Sequence, residues 1–263
     1  PAIGSRTDLQ REPFMSEDHI IVRRDGAVLE IQFNRPEKKN AITNAMYGAM
    51  ADAVTEAENS DDVRAVLFTS VGDFFSAGND IKDFAAQSTG AFDGPRHVGR
   101  FLEVVIKAEK PIVAAVQGHA VGVGTTMLFQ CDLVYAAEDA RLTVPFIDLG
   151  VVPENASSAT MVDRLGHTRA FALFGLGEPL YGKDAAAWGL ANAALPSGEV
   201  QPRARAAAQT LAAKPPQSMR LTKKLMRDRE ALLTRMQEEG EIFAERLRSP
   251  EAIAAFAAFL TKR

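Results

Sequence analysis

The 263-residue chain is poor in the side chains that build disulfides and metal sites. Cys131 is its only cysteine, so no disulfide can close within the chain, and a reducing compartment suits it. The four histidines, His19, His97, His119 and His167, are scattered, with no i,i+4 pair and no thiol cluster beside them. The ligand spacing of a protein-held metal is therefore missing, and we expect no metal. Excess charge of one sign is missing too. The 34 acidic and 30 basic residues leave a net charge of −4, which gives no global electrostatic case for nucleic acid or an anionic membrane as partner. No apolar run is long enough to span a bilayer. Residues 1–14, "PAIGSRTDLQREPF", show no periodicity ahead of Met15 and are expected to be a leader outside the fold.

What is present is 46% hydrophobic and 24% charged residues, an ordinary globular balance on a chain long enough for one large α/β core. "HIIVRRDGAVLEIQFNRP" reads as a hairpin turning at Asp25–Gly26, with Leu29, Ile31 and Phe33 alternating with Glu30 and Gln32. A helix follows from an N-cap at Thr43, carrying Met46, Met50, Val54 and Ala57 on one stripe. "RAVLFTS" (64–70) and "PIVAAVQG" (111–118) read as buried strands, each followed by a glycine-containing loop and a helix. The loops are "VGDFFSAGNDIKDF", running into a short helix, and "HAVGVG", with a helix from about Thr125. "CDLVYAAEDARLTVP" adds two short strands. Strand, glycine loop and helix thus recur without sequence identity between the copies, a repeated supersecondary unit. Beyond about residue 159 the composition turns to alanine- and leucine-rich helix. Leu225, Leu232, Leu233, Met236, Phe243 and Leu247 form apolar stripes that need a partner surface, on the core or on a neighbouring subunit.

The two glycine loops are the first candidates for chemistry. Between a strand end and a helix start, backbone N–H groups are free to meet an anion or a developing oxyanion. Gly78 lets the N–H of Asn79 turn inward, and Gly122 and Gly124 do the same for Val123. Taken singly, each loop is equally well a left-handed turn and nothing more; converging, the two amides make an oxyanion hole. The spacing of Gly118, Gly122 and Gly124 does not fit a dinucleotide fingerprint, and no G-x-S-x-G supplies a nucleophile elbow.

"NRPEKKNAI", "FSAGNDIKDF", "KPIVAAVQGHAVGVG" and "CDLVYAAEDARLTVPFIDLGVVPE", in that order and followed by a helical C-terminus, resemble the crotonase superfamily of enoyl-CoA hydratases and isomerases over about residues 17–263. The resemblance implies an α/β spiral of strand–strand–helix turns over residues 15–200. It also implies a helical C-terminal trimerisation region over 201–263, and homotrimers or dimers of trimers. The ligand would be an acyl-CoA thioester, acting as substrate with no separate cofactor, its carbonyl held by the backbone N–H groups of Asn79 and Val123. Ala77, Gly78, Asp80 and Ile81 would line the CoA and substrate path, and Lys38 and Lys39 lie where a basic segment meets CoA phosphates or simply faces water. The implied setting is cytoplasmic, or peroxisomal or mitochondrial in a eukaryote.

Hydration in such a family needs two carboxylates, one for the water and one for the α-carbon. The positions that carry them in hydratases are Thr126 and Phe146 here, so two-glutamate hydration is not expected and Thr126 is expected to carry no proton. "LGVVPENASS" instead resembles the segment holding the single catalytic glutamate of the peroxisomal type of Δ3,Δ2-enoyl-CoA isomerase, which makes Glu154 the candidate base. Flanked by Val151, Val152 and Pro153, its carboxylate should be partly desolvated and more basic than usual. The alternatives are enoyl-CoA hydration or another enolate reaction on the same fold, and a non-catalytic acyl-CoA-binding protein in which Glu154 is a solvated loop charge.

Overall fold

A computed structural model describes residues 19–81 and 94–261. The leader at 1–14 and the short helix expected beyond Ile81 lie outside the described residues. The chain opens on the expected hairpin, β1 (Ile20–Asp25) and β2 (Val28–Phe33). Asp25 pairs with Val28, so the two-residue loop is Gly26–Ala27, one position later than Asp25–Gly26, and glycine takes the first loop position. Glu30 does not face water. It is 4% exposed, with both carboxylate oxygens on the guanidinium of Arg205 at 2.7 and 2.8 Å and the Thr69 hydroxyl donating at 2.9 Å. A C-terminal helix covers the face that alternation alone assigns to solvent.

Helix α1 (Asn44–Asn59) starts where Thr43 accepts the Met46 N–H at 3.3 Å, and its Met46, Met50, Val54 and Ala57 stripe is buried. Then follow β3 (Ala65–Ser70), β4 (Phe74–Ser76), α2 (His97–Lys107), β5 (Ile112–Val116), β6 (His119–Val121), α3 (Val123–Thr126), β7 (Leu133–Ala137) and β8 (Arg141–Thr143). Strands β3, β5 and β7 pair in parallel with β2 ahead of them, while β4, β6 and β8 pair in parallel within a second sheet that a short antiparallel strand completes. Each turn of the spiral therefore places one strand in the large sheet and the next in the small one. β3 and β5 are buried along their whole length, which is why they read as unbroken apolar runs. β4 and β6 are three residues long, too short for any period to show, and sequence reading leaves them as loop.

The remaining elements are α4 (Ser157–Leu165), α5 (His167–Gly175), β9 (Leu180–Tyr181), α6 (Gly182–Ala187), β10 (Ala193–Leu195), α7 (Ser197–Ala212), α8 (Pro216–Met226), α9 (Arg229–Arg246) and α10 (Pro250–Thr261). The boundary expected at residue 200 falls inside α7, which lies across β3, β5 and β7 as part of the core. The apolar stripe of the C-terminal region divides. Met236, Phe243 and Leu247 pack back against the core of their own chain, while Leu225 stands 89% exposed on α8. Among the described residues no helix is long and apolar enough to cross a membrane.

Candidate active site

The segment "NRPEKKNAI" braces the first glycine loop. Asn40, fully buried, donates through its amide to Val71 O at 2.9 Å and Phe74 O at 2.7 Å and accepts the Arg35 N–H at 2.8 Å. Ser76 Oγ donates to Asn40 O at 2.9 Å and accepts the Gly78 N–H at 3.1 Å. Arg35 reaches Asp80 at 2.7 Å, so the Asp80 carboxylate is occupied by an ion pair. Lys38 and Lys39 are exposed, and the Lys39 ammonium lies 5.1 Å over the Phe74 ring.

Thus held, the loop pairs with Ile42 on both sides of Asn79: Ile42 N–H donates to Gly78 O at 2.8 Å and Asp80 N–H to Ile42 O at 2.9 Å. Alternation along this bridge turns the Asn79 N–H the other way, and among the described residues it has no acceptor. Gly78 is required here twice over. Its φ is +82°, and a Cβ would lie 2.7 Å from Val121 O. The second loop turns at Gly122 (φ +56°, ψ −120°), whose own N–H donates to Thr143 O at 2.9 Å. The next N–H, that of Val123, opens the first turn of α3 and likewise has no acceptor among the described residues.

Glu154 follows a short 3-10 turn (Ile147–Leu149) and precedes two residues in left-handed conformation, Asn155 (φ 66°) and Ala156 (φ 55°), before α4 begins. Its pKa is raised to about 7, chiefly by burial and further by the charge of Glu239, against the lowering effect of a hydrogen bond from Thr126. That bond runs from Thr126 Oγ1 to Glu154 Oε1 at 2.6 Å. Thr126 is therefore not a bystander. It orients the carboxylate, a role that spacing along the chain did not announce because the two residues meet only in space.

A cavity of about 330 Å³ is lined by Glu154, Asn79, Asp80 and Tyr47, together with Phe243 of α9 and Leu247 just beyond its end. An adjoining cavity of about 410 Å³ is lined by Ala77, Gly78, Asn79, Ile81 and Val123, and again by Phe243. Asn79 and Phe243 belong to both. All the expected site residues thus line one or the other of two joined cavities, with Glu154 and Asp80 on one side, Val123, Ala77, Gly78 and Ile81 on the other, and Asn79 between. Tyr47 went unnoticed in the sequence, where it falls beside the apolar stripe of α1. Its hydroxyl donates to Asn79 Oδ1 at 2.6 Å, and burial first and the charge of Glu154 second push its pKa well above the ordinary phenol value. No group of three or more histidine, cysteine or acidic residues that could hold a metal occurs among the described residues.

Strand–strand–helix turns wound around such a cavity define the crotonase fold. The chain belongs to the enoyl-CoA hydratase/isomerase family, whose pattern it matches over residues 23–263. It is similar to enoyl-CoA delta isomerase 2 of Rattus norvegicus, with 36% identity over 250 residues, 93% of this chain and 64% of that protein, so it spans just under two thirds of the relative's length. Among solved structures it is similar to Pseudomonas aeruginosa OdaA, with 44% identity, TM-score 0.88 and coverage of 93% of this chain and 99% of that one. It is also similar to an enoyl-CoA hydratase/isomerase from Pseudoalteromonas atlantica, with 38% identity, TM-score 0.88 and coverage of 93% and 98%.

Proposed function

We propose that the protein is an acyl-CoA isomerase that moves a 3-enoyl-CoA double bond to the 2-position. The Glu154 carboxylate removes a proton from C2, and the electron pair passes into the thioester carbonyl to give a dienolate. The N–H groups of Asn79 and Val123 hold the resulting oxyanion, each such donor being worth roughly 2.7–4 kcal/mol in other enzymes. The protonated Glu154 then returns the proton to C4, and the double bond is left between C2 and C3. No water is activated and no cofactor is needed beyond the CoA carried by the substrate, whose path follows Ala77, Gly78, Asp80 and Ile81. We further propose that the working form is a trimer or a multiple of it.

The observation that carries this reading is Glu154 itself, a carboxylate with its pKa raised to about 7, in a cavity also lined by Asn79, whose N–H has no acceptor among the described residues. A base poised near neutrality can both take and return a proton. Hydration is the weaker reading because Thr126 and Phe146 stand where hydratases keep their carboxylates. The test is a side-by-side assay of 3-enoyl-CoA isomerisation and 2-enoyl-CoA hydration on the purified protein and on Glu154→Gln. Isomerisation should dominate, and Glu154→Gln should lower kcat by about 10²–10⁴ with little change in acyl-CoA affinity. A retained rate in that variant would remove Glu154 from the chemistry.

A further inference from the structure

Helix α9 carries several glutamates, and one behaves unlike the rest. Glu230, Glu238, Glu241 and Glu245 are exposed, whereas Glu239 is 5% exposed and points into the protein. Its Oε1 accepts the Ser158 N–H at 2.8 Å, and the carboxylate also faces the Ala156 amide. The Ala156 amide belongs to the junction between Glu154 and α4, where Asn155 and Ala156 adopt left-handed backbone conformations, and the Ser158 amide to the first turn of α4 that follows it. For alanine that conformation is disfavoured and persists only where the surroundings hold it. The junction is also unusually polar for its burial. Asn155 is 1% exposed, yet neither its Oδ1 nor its Nδ2 has a partner among the described residues, and the same is true of Ser157 Oγ.

We propose that Glu239 is a positioning residue that pins the left-handed turn after Glu154 and so sets where, and in which charge state, the base meets its substrate. The inference rests on the reading of Glu154 as the base. Two groups act on Glu154 in opposite senses, the Thr126 hydroxyl favouring its charged form and the Glu239 carboxylate opposing it. The other charged or titratable groups around them are Tyr47 from α1, Asp80 and Arg96 on the cavity wall, and Arg235 one turn earlier on α9. Glu239 is thus the link through which the C-terminal region acts on the base, independently of the apolar wall that α9 also supplies.

The experiment is a pH titration of the carboxyl carbons by NMR on protein labelled with ¹³C at glutamate, the Glu154 signal being assigned by its loss in Glu154→Gln. Glu239→Gln keeps an oxygen for the Ser158 N–H and removes the charge. The Glu154 midpoint should fall by on the order of half a pH unit or more, and the acidic limb of kcat/KM should move the same way. Glu239→Asp, which keeps the charge, should restore part of that shift. An unmoved Glu154 midpoint in folded Glu239→Gln would overturn the proposal. If that variant does not fold, the wild-type titration decides: coupled, two-step curves for Glu154 and Glu239 are expected, and independent single-step curves would refute it. Because the titration needs no turnover, it separates this inference from the isomerase reading, which is decided by turnover of 3-enoyl-CoA by the wild type and by Glu154→Gln.

Discussion

Glu154 should make itself felt in stability as well as in rate. Its proton affinity is higher in the folded protein, about 7 against an ordinary 4.5, so folding is favoured by its protonated form. Below pH 4.5 both states hold the proton and nothing is lost. The stability it contributes is lost progressively between pH 4.5 and 7, to a total on the order of 3 kcal/mol above that window. Glu154→Gln should therefore stabilise the fold at pH 8 by about 1–3 kcal/mol relative to its effect at pH 4.5, measured by urea unfolding at both values. A difference that is independent of pH would mean that Glu154 titrates like a surface carboxylate. The candidacy of this residue was legible in the sequence, since a lone glutamate after Val151, Val152 and Pro153 is set among apolar neighbours. Thr126, Tyr47 and Glu239 were not legible as its partners, because they lie 28, 107 and 85 positions away and meet it only through the packing of other elements.

The element that matters most is the Gly78 loop, where backbone geometry rather than side-chain chemistry is at stake. Gly78→Val asks for a φ that valine avoids and drives a methyl-bearing carbon against Val121 O, so it should cost more than about 10² in kcat/KM if Asn79 N–H stabilises the oxyanion. Asn79→Ala keeps the amide but breaks the bond from Tyr47. That substitution and Tyr47→Phe should each cost about 1 kcal/mol or a little more, and the double variant should be no worse than either alone. Steady-state kinetics on the four proteins decides it; equal and small effects throughout would mean that the loop does not touch the reacting carbonyl. Glycine and its neighbours announced this loop in the sequence. The bridge to Ile42, which aims the Asn79 N–H, is a pairing between segments 37 positions apart and follows only from the way "NRPEKKNAI" folds over the loop.

For the molecule as a whole, α8 leaves Leu221, Leu225 and Met226 in solvent, at 49%, 89% and 81% exposure. Three large exposed apolar side chains on one short helix are more than a solitary chain should carry, and contact with other copies would cover them. Light scattering at micromolar concentration should give a mass of three chains or a multiple of three, and Leu225→Glu together with Met226→Glu should shift it towards one. A wild-type mass of a single chain would sink the assembly proposal.

By itself the sequence determined the fold class and the alternation of buried strand, glycine loop and helix, and its resemblance to a family made Glu154 and the two glycine loops the candidates for chemistry. The structural part of this is local: unbroken apolar runs mark strands buried on both faces, glycine marks backbone that other residues cannot adopt, and a carboxylate among apolar neighbours marks a group of raised pKa. Only the tertiary structure decided that Glu30 is buried against Arg205, that part of the C-terminal stripe lines the cavity of its own chain, and that the Thr126 hydroxyl meets the Glu154 carboxylate. Each of those depends on which face of a helix meets which loop, and a side chain's distance along the chain carries no information about that meeting.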